Sequence, residues 1–410
     1  MTKVGVLFIG ALGYIATTVI AGTLALKRNL FPRTGMVTDL YHFEGLDLVE
    51  PGDIVFGGWD IRPDSPYESA RRLMRNGQLP IAEILPFIEE DVRHVSLNLY
   101  AGTTANCGMA IERLGTGEGR GECAPLLHLI GKLRNDIRKF RERNSLARVV
   151  VVNVASTEPP LDLHPCHESI EDFEICLERN RRETVRASTL YAYAAIAEGC
   201  PYINFTPSNG ALIPALVDMA ERRGVPVMGD DGKTGETLVK SALIPLFLYR
   251  NLEILSWEGF NLLGNMDGRI LEDPGNRESK VMTKDRILHK TLGYSPHSAV
   301  HIHYVPSLDD QKTAWDFIHF RGFLGAKMSL QFIWQGYDSL LAAPLVLDLI
   351  RLGDLSLRRG ERGALLHLSS FFKAPLKVHE HRLPEQFRML LDYIRQIRTH
   401  GGIHETFVQH

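Results

Sequence analysis

An α/β fold built on a parallel sheet, interrupted by an α+β insert, is predicted by three features of the 410-residue sequence. Apolar runs rich in β-branched residues alternate with helical patterns as far as Met228, which is the rhythm of βαβ units. A glycine turn separates the first of these runs from an uncharged helical stretch. Beyond about Lys233 the texture changes to strands with two-residue alternation and fewer helices between them, as in an open or assembly-forming sheet.

Taken in order, Val4–Ile9 reads as a buried strand, Gly10–Gly13 as a turn and the chain to Lys27 as an apolar helix. The run from Val4 to Leu26 carries no charge and has the length of a membrane span, but Gly5, Gly10 and Gly13 break it. Further strands are expected at Asp53–Trp59, Arg148–Val154, Tyr202–Phe205 and Val225–Met228, with helices at Ala124–Arg143 and Arg182–Glu198. Ile81–Gly121 is less regular and is expected to form surface loops. In the insert, a helix at Thr237–Tyr249 leads to a strand at Leu252–Phe260 and a loop dense in Asn, Gly and Asp. Strands at Ala299–Val305 and Lys327–Trp334 follow. Helical patterns return at Asp338 and run through Leu345–Leu352 and Ala364–Phe372 to a last helix at Pro384–Arg398.

With 44% apolar and 23% charged residues the chain is long enough for two or three cores. Its formal charge of −3, with no block of like charges, provides no field for nucleic acid or an anionic membrane, so small molecules are the expected partners. Five scattered cysteines without a Cys-x-x-Cys pair suit a reducing, cytoplasmic compartment.

Residues 229–243 contain a Gly-Lys-Thr triplet after an apolar run. Val227 stands where a phosphate loop needs its first glycine, yet the strand-to-helix layout still aims backbone N–H groups at an anion. The turn Gly10-Ala11-Leu12-Gly13-Tyr14-Ile15-Ala16 lacks the regular dinucleotide spacing and reads equally as a tight turn or a cofactor site. Asp60 closes a strand behind two glycines, either as a ribose contact or as a turn residue. Lys280 and Lys284 share one face if helical, Lys312 follows Asp310, and Lys373 interrupts an apolar segment where burial would favour its neutral, basic form. Solvation or snorkelling accounts for these lysines as well. His164-Pro165-Cys166-His167 and His301-Ile302-His303 each lack a second ligand pair at zinc spacing, so no metal site is read.

"FGGWDI" (56–61), "VNVASTEPP" (152–160), "GDDGKTGET" (229–237), "NLLGNMDG" (261–268), "SKVMTK" (279–284), "DDQKTAWD" (309–316), "DSLLAAPLVLDL" (338–349) and "FFKAP" (371–375) occur in the order and spacing of one family. Over nearly its whole length the sequence resembles the NAD-dependent myo-inositol phosphate synthases, in the style of their short bacterial and archaeal forms. In that family a hexose 6-phosphate is oxidised at C5 by tightly held NAD, enolised at C6, closed onto C1 by an intramolecular aldol step and reduced again, with no net redox. The resemblance implies a Rossmann-type domain (1–232), an inserted α+β catalytic and tetramerisation domain (233–355), and a C-terminal segment (356–410) whose helices complete the first domain in a homotetramer.

The resemblance also implies site residues. Lys280, Lys284, Lys312 and Lys373 match the active-site lysines, with Asp231 and Asp310 as orienting carboxylates. Gly10, Gly13, Tyr14, Ile15, Ala16, Asp60, Ala155, Thr157, Asp230 and Asp338 would meet NAD. Thr234, Gly235, Glu236 and Thr237 would hold the phosphate, and Asn261, Asn265 and Asp267 the sugar hydroxyls. Three departures accompany the match. Tyr14 and Ile15 replace two asparagines of the dinucleotide turn, Glu236 replaces a glutamine beside the phosphate, and Phe205 replaces a glycine. The last two motivate an alternative, closure of fructose 6-phosphate to a five-membered carbocycle. A simple dehydrogenase and a non-catalytic homologue are the remaining readings.

Overall fold

The computed structural model describes residues 3–77, 79–115, 124–273, 275–276, 288 and 290–399. Seven strands form the first sheet: β1 (Val4–Ile9), β2 (Ile54–Asp60), β3 (Leu99–Ala101), β4 (Arg148–Asn153), β5 (Tyr202–Asn204), β6 (Pro226–Met228) and, from the far end of the chain, β11 (Gly363–Ala364). Their order is β11-β6-β5-β4-β1-β2-β3, and every neighbouring pair is parallel. The order reverses between β1 and β4, and in a Rossmann-like sheet the ligand crevice opens at that reversal.

Among the described residues the longer helices are α1 (Tyr14–Lys27), α2 (Pro66–Arg75), α3 (Leu79–Val95), α4 (Leu126–Arg143), α5 (Ile170–Glu178), α6 (Ala187–Ala197), α7 (Pro214–Arg223), α8 (Glu236–Tyr249), α9 (Asp338–Arg358) and α10 (Leu383–Thr399). Alternate residues of the central strands serve opposite layers. Leu7, Ile9, Val149 and Val151 join the core with α4, α6 and α7. Val4, Val6, Phe8, Val150 and Val152 join the core with α1, α9 and α10. Because both faces are covered, the strands read as continuous apolar runs rather than alternating ones.

The second sheet has the order β10-β9-β7-β8, with β7 (Glu253–Leu263) parallel to β8 (His297–Tyr304) and antiparallel to β9 (Gln311–Arg321), which pairs with β10 (Lys327–Tyr337). One face packs against α8 through Ile244, Phe247, Trp257 and Ile318. The described helices include none long and apolar enough to cross a membrane.

Four expectations are corrected. The region from Ile81 is not a set of loops at its start: α3 buries Ile81, Ile84, Leu85, Ile88 and Val92 against α1 and α2, with Pro86 inside the helix. The eleven-residue strand β9 was not expected at all. Ala364–Phe372 is not an α-helix, because Gly363–Ala364 pairs with β6 and Leu366–Phe371 forms a 3-10 turn. Finally, the chain returns to the parallel sheet at Asp338 rather than 356, since Val346, Leu349 and Ile350 of α9 lie in the same core as β1.

Candidate active site

The cleft at the β1/β4 reversal begins with the glycine turn. Gly10 has φ +80°, and a Cβ there would lie 2.9 Å from the Ala155 Cα, so only glycine lets β1 and β4 end this close together. The Gly10 and Ala11 N–H groups donate to the Trp59 carbonyl at 2.9 and 3.0 Å. Gly13 is the N-cap of α1, with no side-chain cap and no acidic residue in the first turn. The first amides of a fourteen-residue helix therefore meet the cleft with their partial positive charge uncancelled, as a diphosphate requires.

Gly10, Gly13, Tyr14, Ile15, Asp60, Ala155 and Thr157 all line this cleft. Ala16 is fully buried beneath it. Asp60 Oδ2 accepts the Leu12 N–H at 2.8 Å, and Oδ1 accepts the Arg62 N–H and Nε–H at 3.0 and 3.2 Å. It thus holds the turn to the end of β2 while lining the cleft. The Tyr14 hydroxyl accepts from Asn76 Nδ2 at 2.6 Å, and burial, aided by the charge of Asp310, pushes its pKa up. Asp230 lies behind the wall, where its carboxylate accepts from Asn204 Nδ2 at 2.7 Å.

Opposite the glycine turn stand two lysine–aspartate pairs. Lys373 Nζ lies 2.8 Å from Asp231 Oδ1, and both side chains are nearly buried. They meet because the chain around Lys373 runs beside the turn after β6: Ala374 N–H donates to the Asp230 carbonyl at 3.1 Å and Lys373 N–H to that of Asp231 at 2.7 Å. Lys312 Nζ lies 3.3 Å from both oxygens of Asp338. Lys312 sits near the start of β9, paired with Gly336, so Asp338 at the head of α9 comes alongside. Asp310 accepts from Ser339 Oγ at 2.6 Å in the same wall.

The N-terminus of α8 opens between these pairs. Thr234 and Asn265 line the cleft, and Asn265 Oδ1 accepts the Gly268 N–H at 3.0 Å. A Cβ on Gly235 would come within 3.3 Å of Lys312 Nζ, which places the phosphate-type turn against an ammonium group. Thr237 is buried in the first turn of α8.

Glu236 does not set a net charge beside that turn. Its carboxylate is fully buried 2.6 Å from Lys240 Nζ, one helical turn on, and accepts from Asn261 Nδ2 at 2.6 Å. A buried carboxylate needs such compensation, so Glu236, Lys240 and Asn261 form a neutralised unit between α8 and β7. Asn261 is engaged there rather than in the cleft wall. Lys280, Lys284 and the side chain of Asp267 lie outside the described residues.

Lys233 was not singled out from the sequence. It is 2% exposed, and its Nζ donates to Gln386 Oε1 of α10. Burial, and then the charge of Lys373, bring its pKa down to about 7. The only sequence signal was its place in the Gly-Lys-Thr triplet, because Gln386 is far away along the chain.

Residues 4–395 match the family model described as myo-inositol-1-phosphate synthase, an NAD-binding model by its name. Inositol-3-phosphate synthase 1 of Bacteroides thetaiotaomicron is 35% identical over 96% of this chain and 95% of its own length. The inositol-3-phosphate synthase of Dictyostelium discoideum is 30% identical over 87% of this chain and 75% of its own. The crystal structure of the Caenorhabditis elegans inositol-3-phosphate synthase superposes with a TM-score of 0.83 at 25% identity, covering 99% of this chain and 90% of that one. A myo-inositol-1-phosphate synthase-related protein from Thermotoga maritima gives a TM-score of 0.79 at 25% identity over 96% and 98%.

Proposed function

Because the chain belongs to the myo-inositol-1-phosphate synthase family, we propose that it is an isomerase converting D-glucose 6-phosphate into 1L-myo-inositol 1-phosphate, also called inositol 3-phosphate, with NAD as recycled cofactor. The observation that carries this reading is the pair of lysine–aspartate couples, Lys373–Asp231 and Lys312–Asp338, facing a dinucleotide turn across one cleft.

The cleft fits NAD in two respects: Gly10 leaves room at the strand ends, and the first turn of α1 has no side-chain cap. When bound, NAD supplies reversible removal of hydride from C5 of the sugar. The residues of this chain handle the protons and the charge. Lys373 Nζ, held by Asp231, takes the proton of the C5 hydroxyl and later returns it, with Lys280 sharing this transfer. Lys312 and Lys280 stabilise the enolate at C6 and the alkoxide that develops as the ring closes onto C1. The amides of Thr234–Thr237, with Lys284 and Lys312, hold the phosphate, while Asn265 and Asp267 meet sugar hydroxyls. Thr157, Ala155 and Asp60 border the cofactor.

Neither departure that suggested fructose 6-phosphate supports it. Glu236 is neutralised by Lys240, and Phe205, which lines the cleft, has its ring held over Gly232 and edge-on to Phe372. A cytoplasmic homotetramer is the proposed assembly. Trp315 and Ile333, paired on one face of the second sheet and exposed, support contact between copies there.

Carbon and phosphorus NMR of the purified enzyme with ¹³C-labelled glucose 6-phosphate and catalytic NAD tests the reaction. A six-membered inositol phosphate without accumulating NADH is expected. Stoichiometric NADH, or a carbocycle formed only from fructose 6-phosphate, would overturn it.

A further inference from the structure

A second group of chemistry-bearing side chains lies away from the cleft, between β4 and α5. Pro165–His167 forms a single 3-10 turn with His164 at its N-cap, and Cys176 comes from α5. One ring nitrogen of His164 and the sulfurs of Cys166 and Cys176 all lie within 4.8 Å of one another; among the described residues this is the one such trio. Sequence spacing concealed it, because the third donor comes from the following helix.

The trio is held in place from outside. His167 Nδ1 accepts the His164 N–H at 3.2 Å and its Nε2 contacts the Thr184 carbonyl at 2.9 Å, so both its nitrogens position the turn and neither is open as a ligand. Pro165 restricts the turn further. His164 Nδ1 accepts the Cys166 N–H at 3.2 Å. Cys166 and Cys176 are buried, whereas His164 is partly exposed and gives solvent a route in. Burial and the neighbouring Cys176 push the Cys166 thiol up to about 12.

We propose that His164, Cys166 and Cys176 bind one divalent cation of zinc-like chemistry, which clips the β4–α5 loop onto α5. Two thiolates and an imidazole are a donor set that selects such ions, with water completing the tetrahedron from the exposed side. Binding forms two metal–sulfur bonds and one metal–nitrogen bond and releases the two thiol protons to solvent, with no change of oxidation state. The loop begins at Ala155–Glu158 in the cleft wall, yet the trio itself lies outside the cleft and its role is independent of ring closure.

The test uses the full chain, reduced, stripped with a chelator and titrated with Zn²⁺ or Co²⁺. One equivalent per chain, a thiolate-to-cobalt charge-transfer band and a higher Tm with Zn²⁺ are expected, with binding tightening as pH rises. Cys176→Ser should abolish the band. His164→Asn keeps an acceptor for the Cys166 N–H at a partly exposed position, so it should fold normally while affinity falls at least about tenfold. No stoichiometric binding, a band of equal strength and affinity in His164→Asn, or recovery of a Cys166–Cys176 disulfide in place of bound metal would each overturn the proposal.

Discussion

Asp231 occupies the left-handed backbone region at φ 61°, where a side chain other than glycine stores about 1–3 kcal/mol, and it is the residue that pairs with Lys373. Such strain persists where the surroundings over-determine a conformation, here the main-chain bonds to residues 373 and 374. Lys373→Ala is expected to lower kcat by about 10²–10⁴-fold while leaving NAD affinity unchanged, as read from steady-state kinetics beside a cofactor titration. A parallel loss of NAD binding would reassign the lysine to the cofactor. Lys233 makes a different prediction. Its folded pKa near 7 lies below the ordinary lysine value, so above pH 7 the unfolded chain binds more protons than the folded one. Stability relative to Lys233→Met should therefore rise from pH 7 to pH 9, by up to about 1.4 kcal/mol per pH unit, in denaturant titrations. Below pH 7 the difference between the two proteins should be flat. Lys373 was legible in the sequence because a cation within an apolar run is conspicuous. Lys233 and the neutralised Glu236–Lys240 unit were not, since their meaning depends on Gln386 and Asn261, which only the fold brings near.

Among the elements, α3 shows how a correct pattern is overlooked. Ile81, Ile84, Leu85, Ile88 and Val92 have helical spacing, but Pro80 and Pro86 punctuate the segment and suggest loops. Ile88→Ala should destabilise the protein by about 2–5 kcal/mol in equilibrium unfolding, whereas a surface loop would tolerate it. β9 was missed for a different reason: Lys312 and Asp316 break its apolar alternation, and both are buried through partners on other elements. The strands β1, β4, β5 and β6 were readable because burial on both faces keeps them apolar up to their ends, where Asn153 and Asn204 close β4 and β5. A closer contact joins the loop after β5 to the turn after β6. A Cβ at Gly232 would lie 2.1 Å from the Phe205 ring, so Gly232→Ala should cost about 1–3 kcal/mol. In a Phe205→Ala background the same change should cost much less, and a double-mutant cycle measures the coupling.

At the scale of the whole molecule, the cleft is assembled from segments far apart in sequence, and the two sheets meet around it through Lys312, Asp338 and the start of α8. Ligands that bind only the folded chain stabilise all of it together. NAD at a hundredfold excess over its Kd should add about 2.7 kcal/mol to unfolding stability, visible as a single shifted transition. Two transitions, with only one of them moved by NAD, would show that the sheets unfold separately. The pairing of Lys373 with Asp231 spans 142 residues. During synthesis at about 5–20 residues per second, Asp231 precedes its lysine by about 7–28 seconds. The nascent chain therefore has the strands and glycine turn of the crevice well before Lys373 exists, and the lysine–aspartate couple of the cleft wall closes only after the strands of both sheets have been made.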